Sequence, residues 1–288
     1  MEERPKFTIG IPVGGNQENL TRAVRSISDQ TYPDFEVLFV NDRASQKNVE
    51  LMQGLSNCFS RIRMTTNTQE EGISNCRNEI INNARGEYIL FVGPNDTIEP
   101  DLLRSLREYT YDDVDIIKYQ MTGNPEEFSY PATIRPITGE EAIRAFSRHS
   151  EKKYAVANTM CYRRRFLKWC GFEFPYDRKM YEDVAALPMA IASAKQFVVT
   201  DYEGYHYNRE RKSKSKSVVK QIEELREKQI ALQSAYTYST LKISELRYIS
   251  SMTKKAFFED MERRRTESER EFREIKSSLI KGKNIEER

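Results

Sequence analysis

Several clusters of polar residues have types and spacing that could do chemistry. Asn41 and Asp42 close the apolar run in FEVLFVNDRAS, and Asn95 and Asp96 close another in EYILFVGPND. Acids at the ends of buried strands can accept hydrogen bonds from a base N–H or ribose hydroxyls, or help to hold a cation. For Asp42 the competing reading is a helix N-cap or Asx-turn. Glu182 and Asp183 follow Tyr181 where a helical pattern begins. There a carboxylate either interacts with the helix dipole or serves as a general base. The basic run RERKSKSK, Arg209 to Lys216, offers planar donor forks for phosphate at Arg209 and Arg211, or forms a solvated loop. PVGGN, beginning at Pro12, lacks both GxxxxGK[ST] and GxGxxG. Its glycines either ease a strand-to-helix turn or admit close approach of a nucleotide.

Other chemistries find no support. The four cysteines form no CxxC pair, and two histidines supply no zinc-ligand spacing, so a reducing compartment fits best. His206, alone in YHY, reads as a packed side chain.

The elements that must position these residues alternate. FTIGIPV and FEVLFVN are short, nearly continuous apolar runs, as expected of strands buried on both faces of a parallel sheet, and NLTRAVRSISDQ between them has helical spacing. The alternation predicts a helix over 46–57, strand RIRMTT, a helix over 73–83 and strand EYILFVG. Such a pattern implies an α/β domain whose ligand site lies beyond the carboxyl ends of the strands. Further on we expect a helix to about Tyr109, strand VDIIKY, helix EEAIRAFS, strand YAVANTMCYRR, a helix opened by Glu182 and Asp183, and strand QFVVTD. From Val218 onward Glu, Lys, Arg and Ser dominate, with apolar residues at helical spacing.

With 38% hydrophobic residues in 288, the chain can fill a substantial core, and a net charge of +2 gives no long-range field toward nucleic acid, which is not expected as a partner. No apolar run approaches the roughly 20 residues needed to cross a bilayer, and MEERPK lacks a signal-peptide core, so a cytoplasmic location is expected.

Taken in order, IPVGGN, SISDQTYPDFEVLFVNDRAS, GISNCRNEIINNARGEYILFVGPND, YEDVAALPMA and YHYNRERKSKS resemble the family 2 glycosyltransferases. Members typically read PVYN, SLLxQTYxxxEIIIVDDGS, GxSxARNxGxxxAxGEYIxFLDSDD, an ED pair and a YxYR-type segment. The resemblance spans about Phe7 to Ser217 and implies a GT-A fold, a Rossmann-like, mostly parallel sheet flanked by helices. A glycosyltransferase domain is then expected over 1–217, with a nucleotide-sugar half to about 110 and an acceptor half over 111–217. A helical C-terminal region follows over 218–288. The implied reaction is inverting transfer of a hexose or N-acetylhexosamine from a nucleotide-sugar, UDP-sugar favoured, to a glycan or lipid-linked acceptor in bacterial surface polysaccharide assembly.

The resemblance also implies roles. Pro12 and Val13 would form the first nucleotide-contacting turn, Asp42 would read the base, and Arg77 would lie near the nucleotide. Asp183 would be the base that deprotonates the acceptor, with Glu182 orienting it. The main departure is at the family's DSDD, which here reads Gly93, Pro94, Asn95, Asp96. Asn95 and Asp96 are left to hold the expected Mn²⁺ or Mg²⁺ and the donor. Loss of one charge about 4 Å from the ion is worth roughly 4 kcal/mol at an effective dielectric near 20, up to about three orders of magnitude in affinity. Three compensations remain open: Asp96 takes the ligand role, the nucleotide's phosphates supply most of the ligands, or Arg209 and Arg211 replace the metal. The competing function is a catalytically silent glycosyltransferase-like scaffold or glycan-binding subunit. For the C-terminal helices, packing on the catalytic domain or a second subunit stands beside peripheral contact of the basic patch MERRR with anionic membrane at its inner face.

Overall fold

The computed structural model describes residues 4–15, 19–68, 72–110, 113–123, 131–147, 156–176 and 182–208, and in the C-terminal region 226, 230, 262, 263, 265–274 and 277. Its first half repeats strand and helix: β1 (Phe7–Gly15), α1 (Leu20–Ser28), β2 (Phe35–Ala44), α2 (Gln46–Cys58), β3 (Ile62–Thr66), α3 (Ile73–Asn83) and β4 (Tyr88–Phe91). β5 (Thr97–Ile98), α4 (Leu102–Arg107), β6 (Ile116–Thr122) and α5 (Gly139–Ser147) follow. A 3₁₀ turn (Ala157–Thr159) leads into β7 (Met160–Arg163), α6 (Arg164–Trp169), α7 (Glu182–Ser193) and β8 (Phe197–His206).

These strands form one sheet in the order β3-β2-β1-β4-β7-β6-β8-β5. β1 pairs in parallel with β2 and β4, and β2 with β3. The strand order therefore reverses between β1 and β4, the kind of position where α/β sheets open a crevice for ligands. β7 lies antiparallel between β4 and β6, while β6 and β8 are parallel. The insertion of β7 brings the 3₁₀ turn that precedes it to the carboxyl end of β4.

Alternate side chains divide the core into two layers, as the period-two geometry of strands requires. Phe7, Ile9, Ile11 and Val13 of β1 join α1 and α4 residues on one face, whereas Leu38, Val40, Ile89 and Phe91 join α3, α6 and α7 on the other. Burying each such side chain contributes about 1.5–3 kcal/mol. α1 places Leu20, Ala23 and Ile27 inward at helical spacing. At Gly10 an added Cβ would overlap the Ile80 side chain, so the glycine lets α3 lie close against β1.

The C-terminal side departs from the sequence expectations in detail. Expected strand YAVANTMCYRR is shortened to β7, because its 157–159 portion turns as 3₁₀ and Arg164 already begins α6. β8 continues past the expected QFVVTD to His206, pairing with β6 and with the two-residue β5. His206, expected to be packed, is instead partly exposed at 38%; its Nε2 contacts Glu99 and its Nδ1 lies 2.6 Å from the Thr122 hydroxyl. Of residues 218–288, all that are described are helical. Tyr181, Arg209, Arg211 and most of the C-terminal region lie outside the described residues.

Candidate active site

The ends of β1, β2 and β4 deliver the first group of residues. Val13 is wholly buried in the core, and both Pro12 and Val13 lie within β1, which continues to Gly15. These two positions therefore present backbone rather than a side-chain turn. Asp42, at the end of β2, sits opposite Gly14 of β1. Its Oδ1 accepts from Asn67 Nδ2 at 2.7 Å, and its Oδ2 accepts from the Gly72 N–H at 3.0 Å. Cys76 also hydrogen-bonds to it; burial, then the charge of Asp42, pushes that thiol pKa up. Asp42 thus ties β2 to the segment that starts α3. The strand register skips Arg43, which holds φ 57°, left-handed backbone where the family pattern has glycine.

A second group gathers around Arg77. This arginine, on α3, has a side chain only 4% exposed. Its Nη1 donates to Asp183 Oδ1 at 2.8 Å and Glu182 Oε1 at 3.0 Å, and its Nη2 donates to Asn158 Oδ1 at 3.1 Å. The guanidinium also lies over the rings of Phe174 and Phe91, at 5.0 and 5.7 Å. Its described contacts make Arg77 an internal clamp on the Glu182–Asp183 pair. The other Asp183 oxygen accepts from the Ala157 N–H at 3.2 Å. Burial opposes the charge of Arg77, but Asp183 and Glu182 leave its pKa raised. Burial, reinforced by Asp183 and opposed by Arg77, raises the pKa of Glu182. Two carboxylates against one guanidinium leave one negative charge at the start of α7, a suitable state for a proton acceptor.

The third group is the turn after β4. Tyr205 of β8 donates its hydroxyl to Asp96 Oδ2 at 2.6 Å and accepts from the Gly93 N–H at 2.9 Å and from Asn158 Nδ2 at 2.8 Å. Asp96 Oδ1 accepts from the Asn208 N–H at 2.9 Å. Asn158 consequently joins the turn to the Arg77 clamp, and Tyr119 holds the Asn158 carbonyl at 2.7 Å. Sequence reasoning missed Asn158, which lies within a stretch that reads as an ordinary strand, and Tyr205, which lies beyond the expected strand QFVVTD. The pairing of β5 with β8, which brings Tyr205 across, had no periodic signal in two residues.

The expected metal set does not fit this turn. Asp96 is 5% exposed, burial raises its pKa against the pull of Tyr205 and Asn208, and both its oxygens already accept protein donors. Asn95 adds no charge, and its backbone oxygen accepts from the Arg22 guanidinium at 3.3 Å. Among the described residues no three acidic, histidine or cysteine side chains gather as a metal site.

Residues 8–170 match the model of glycosyl transferase family 2. The chain belongs to this family. The family 2 chain is 24% identical over 217 residues to the poly(ribitol-phosphate) beta-N-acetylglucosaminyltransferase TarS of Staphylococcus aureus, a match covering 74% of the chain but 37% of TarS. It is 33% identical over 101 residues to glycosyltransferase GlyA of Streptococcus pneumoniae, covering 35% of the chain and 14% of GlyA. The family 2 chain therefore spans little more than a third of the TarS length. Its fold is similar to that of S. aureus TarS 1–349 in complex with UDP-GlcNAc, with TM-score 0.63 and 19% identity over 96% of the chain and 92% of that structure. It is also similar to the mannosyltransferase PcManGT of Pyrobaculum calidifontis, solved with GDP-Man and Mn²⁺, with TM-score 0.58 and 14% identity over 99% of the chain and 81% of that structure. The sheet is thus the GT-A sheet expected from the family motifs.

Proposed function

We propose that the protein is an inverting glycosyltransferase that moves a hexose or N-acetylhexosamine from a nucleotide-sugar, UDP-sugar favoured, to a glycan or lipid-linked acceptor of a bacterial surface polysaccharide. The observation that carries this reading is the buried Arg77 holding Glu182 and Asp183 together beside the carboxyl end of β4. Asp183 is the residue that accepts the proton of the acceptor hydroxyl, with Arg77 and the Ala157 N–H fixing its orientation. The hydroxyl oxygen attacks the anomeric carbon opposite the diphosphate. The bond to the diphosphate breaks, its electron pair leaves with the nucleotide, and the anomeric configuration inverts. Arg209 and Arg211, next to Asn208 in sequence, are proposed to meet the charge that develops on the leaving group.

UDP-sugar as donor is supported by the TarS complex with UDP-GlcNAc, and a lipid-linked or polymeric acceptor by the names of the relatives. No described helix is long and apolar enough to cross a membrane, so contact with a lipid-linked acceptor is proposed to be peripheral, at the cytoplasmic face. The C-terminal region over 218–288 is proposed as a helical extension that packs on the domain or on a second subunit.

A silent scaffold is the second reading, favoured by the acids missing at Gly93 and Asn95. UDP release from UDP-GlcNAc and UDP-glucose, measured with a panel of acceptors that includes poly(ribitol phosphate), separates the two. Activity should fall about 100- to 10,000-fold in Asp183→Asn with UDP affinity retained. UDP binding with no turnover on any acceptor would support the scaffold.

A further inference from the structure

At Gly93 an added Cβ would overlap Asp96 Oδ2 and would stand 3.1 Å from its Cγ and 3.3 Å from the Tyr205 hydroxyl. The space into which the family's first acid would project therefore holds the carboxylate of Asp96. An acid at 93 and the present position of Asp96 exclude one another. The glycine at 93 thus leaves room for the last acid of the motif to lie inward and accept hydrogen bonds from Tyr205 and Asn208.

Each carboxylate oxygen accepts a protein donor. Tyr205 gives its only proton to Asp96 Oδ2, while its oxygen receives the Gly93 N–H and Asn158 Nδ2. The Asn208 N–H takes Oδ1. This closes the turn 93–96 against the end of β8. Divalent cations of this class need carboxylate or other oxygens at about 2.0–2.6 Å, and Mg²⁺ gives up its water reluctantly. A carboxylate this enclosed meets that need only if the turn opens and Tyr205 loses its partner. Arg22, donating to the Asn95 carbonyl at 3.3 Å, already places a positive group on the outer side of the turn.

We propose that Asp96 is a positioning residue, not a metal ligand: it pins the 93–96 turn to Tyr205 and Asn208, and the pinned turn takes up the donor's nucleoside diphosphate without a tightly held divalent cation. The proposal rests on the nucleotide-sugar reading for its ligand, but the pin itself does not.

Two measurements test it. In the first, UDP is titrated calorimetrically into the full chain, once in EDTA and once with Mn²⁺. The dissociation constants should agree within about threefold, whereas loss of a needed ion would weaken binding by orders of magnitude. Tyr205→Phe should weaken UDP binding in both buffers alike, because the turn loses its anchor. A dissociation constant at least about tenfold weaker in EDTA, with that difference abolished in Asp96→Asn and kept in Tyr205→Phe, overturns the proposal. In the second, thermal unfolding compares Gly93→Ala alone and in an Asp96→Ala background. The added methyl should lower the melting temperature clearly where Asp96 is present and much less where it is removed. Equal shifts in the two backgrounds overturn the pin. Should UDP, GDP and dTDP all fail to bind with or without Mn²⁺, the nucleotide-sugar reading falls, and the unfolding cycle still decides the pin.

Discussion

Replacing Arg77 tests the organisation of the site most directly. Its guanidinium makes three side-chain hydrogen bonds, two of them to carboxylates, and lies over two aromatic rings, with 4% of the side chain exposed. Removing one partner of a buried ion pair costs about 3–5 kcal/mol, against a total of about 5–15 kcal/mol for an ordinary domain. Arg77→Ala should therefore fold marginally, and Arg77→Lys is the more informative variant. A lysine retains the charge but not the fork, so it forfeits at least one charge-assisted hydrogen bond worth about 1.5–3 kcal/mol. Urea unfolding should show a loss of about 2–4 kcal/mol for the lysine variant at neutral pH.

The loss should also depend on pH in a defined direction. Burial and the charge of Asp183 raise the folded-state pKa of Glu182 against the pull of Arg77, and loss of the guanidinium removes that opposing pull. An acid with a raised folded pKa favours the folded state below its unfolded pKa and forfeits that contribution as pH rises through the folded value. The deficit of Arg77→Ala relative to the parent should accordingly shrink as pH falls from neutral toward the carboxylate range. Adding Glu182→Gln should recover part of it at neutral pH. A deficit below about 1 kcal/mol, or one unchanged across pH and unrelieved by Glu182→Gln, would refute the clamp.

Other consequences are simpler to check. Burial raises the Asp96 pKa, so the stability of the parent relative to Asp96→Asn should decline as pH rises from the ordinary carboxylate range, measured by urea midpoints at successive pH values. Of the four free cysteines only Cys58 is exposed, so a thiol reagent should modify one cysteine in the native protein and four after denaturation. Arg43→Gly should relieve about 1–2 kcal/mol of left-handed strain, offset by up to about 1 kcal/mol of unfolded-state entropy, for a net gain near 0.5–1 kcal/mol. A lower midpoint in that variant would show that the arginine side chain contributes more than its backbone costs.

Much of the first half was legible because its strands are nearly continuous apolar runs and its helices carry their own periodicity. β1, β2 and β4 and the acids at their ends could be placed from local pattern alone. The site's wiring could not. Arg77 meets Glu182 and Asp183 across more than a hundred residues, and Asp96 meets Tyr205 across a similar distance. Nothing in ISNCRNEIINN distinguishes an arginine aimed at a nucleotide from one aimed into the protein. Asn158 looked like part of a strand because YAVANTMCYRR is largely apolar up to its closing arginines, yet the 3₁₀ turn over 157–159 is what brings its amide between the two halves of the site. The departure at Gly93 was visible as a missing acid, but what fills the space depends on Tyr205 of β8, a strand more than a hundred residues away in sequence.

Pro188 lies inside α7, one turn after Asp183. A proline has no N–H to offer the carbonyl four residues earlier, and its ring crowds that carbonyl, so the ladder is interrupted at Val184. The segment that carries Glu182 and Asp183 therefore has one ladder bond fewer to the rest of its own helix, and is held in addition to α3 through Arg77 and to the 3₁₀ turn through Ala157. In backbone amide exchange the two portions of α7 should open as separate units, the apolar portion with the core and the acidic portion with the clamp. The carboxylate proposed as the base is thus tied to α3 as well as to the helix that carries it.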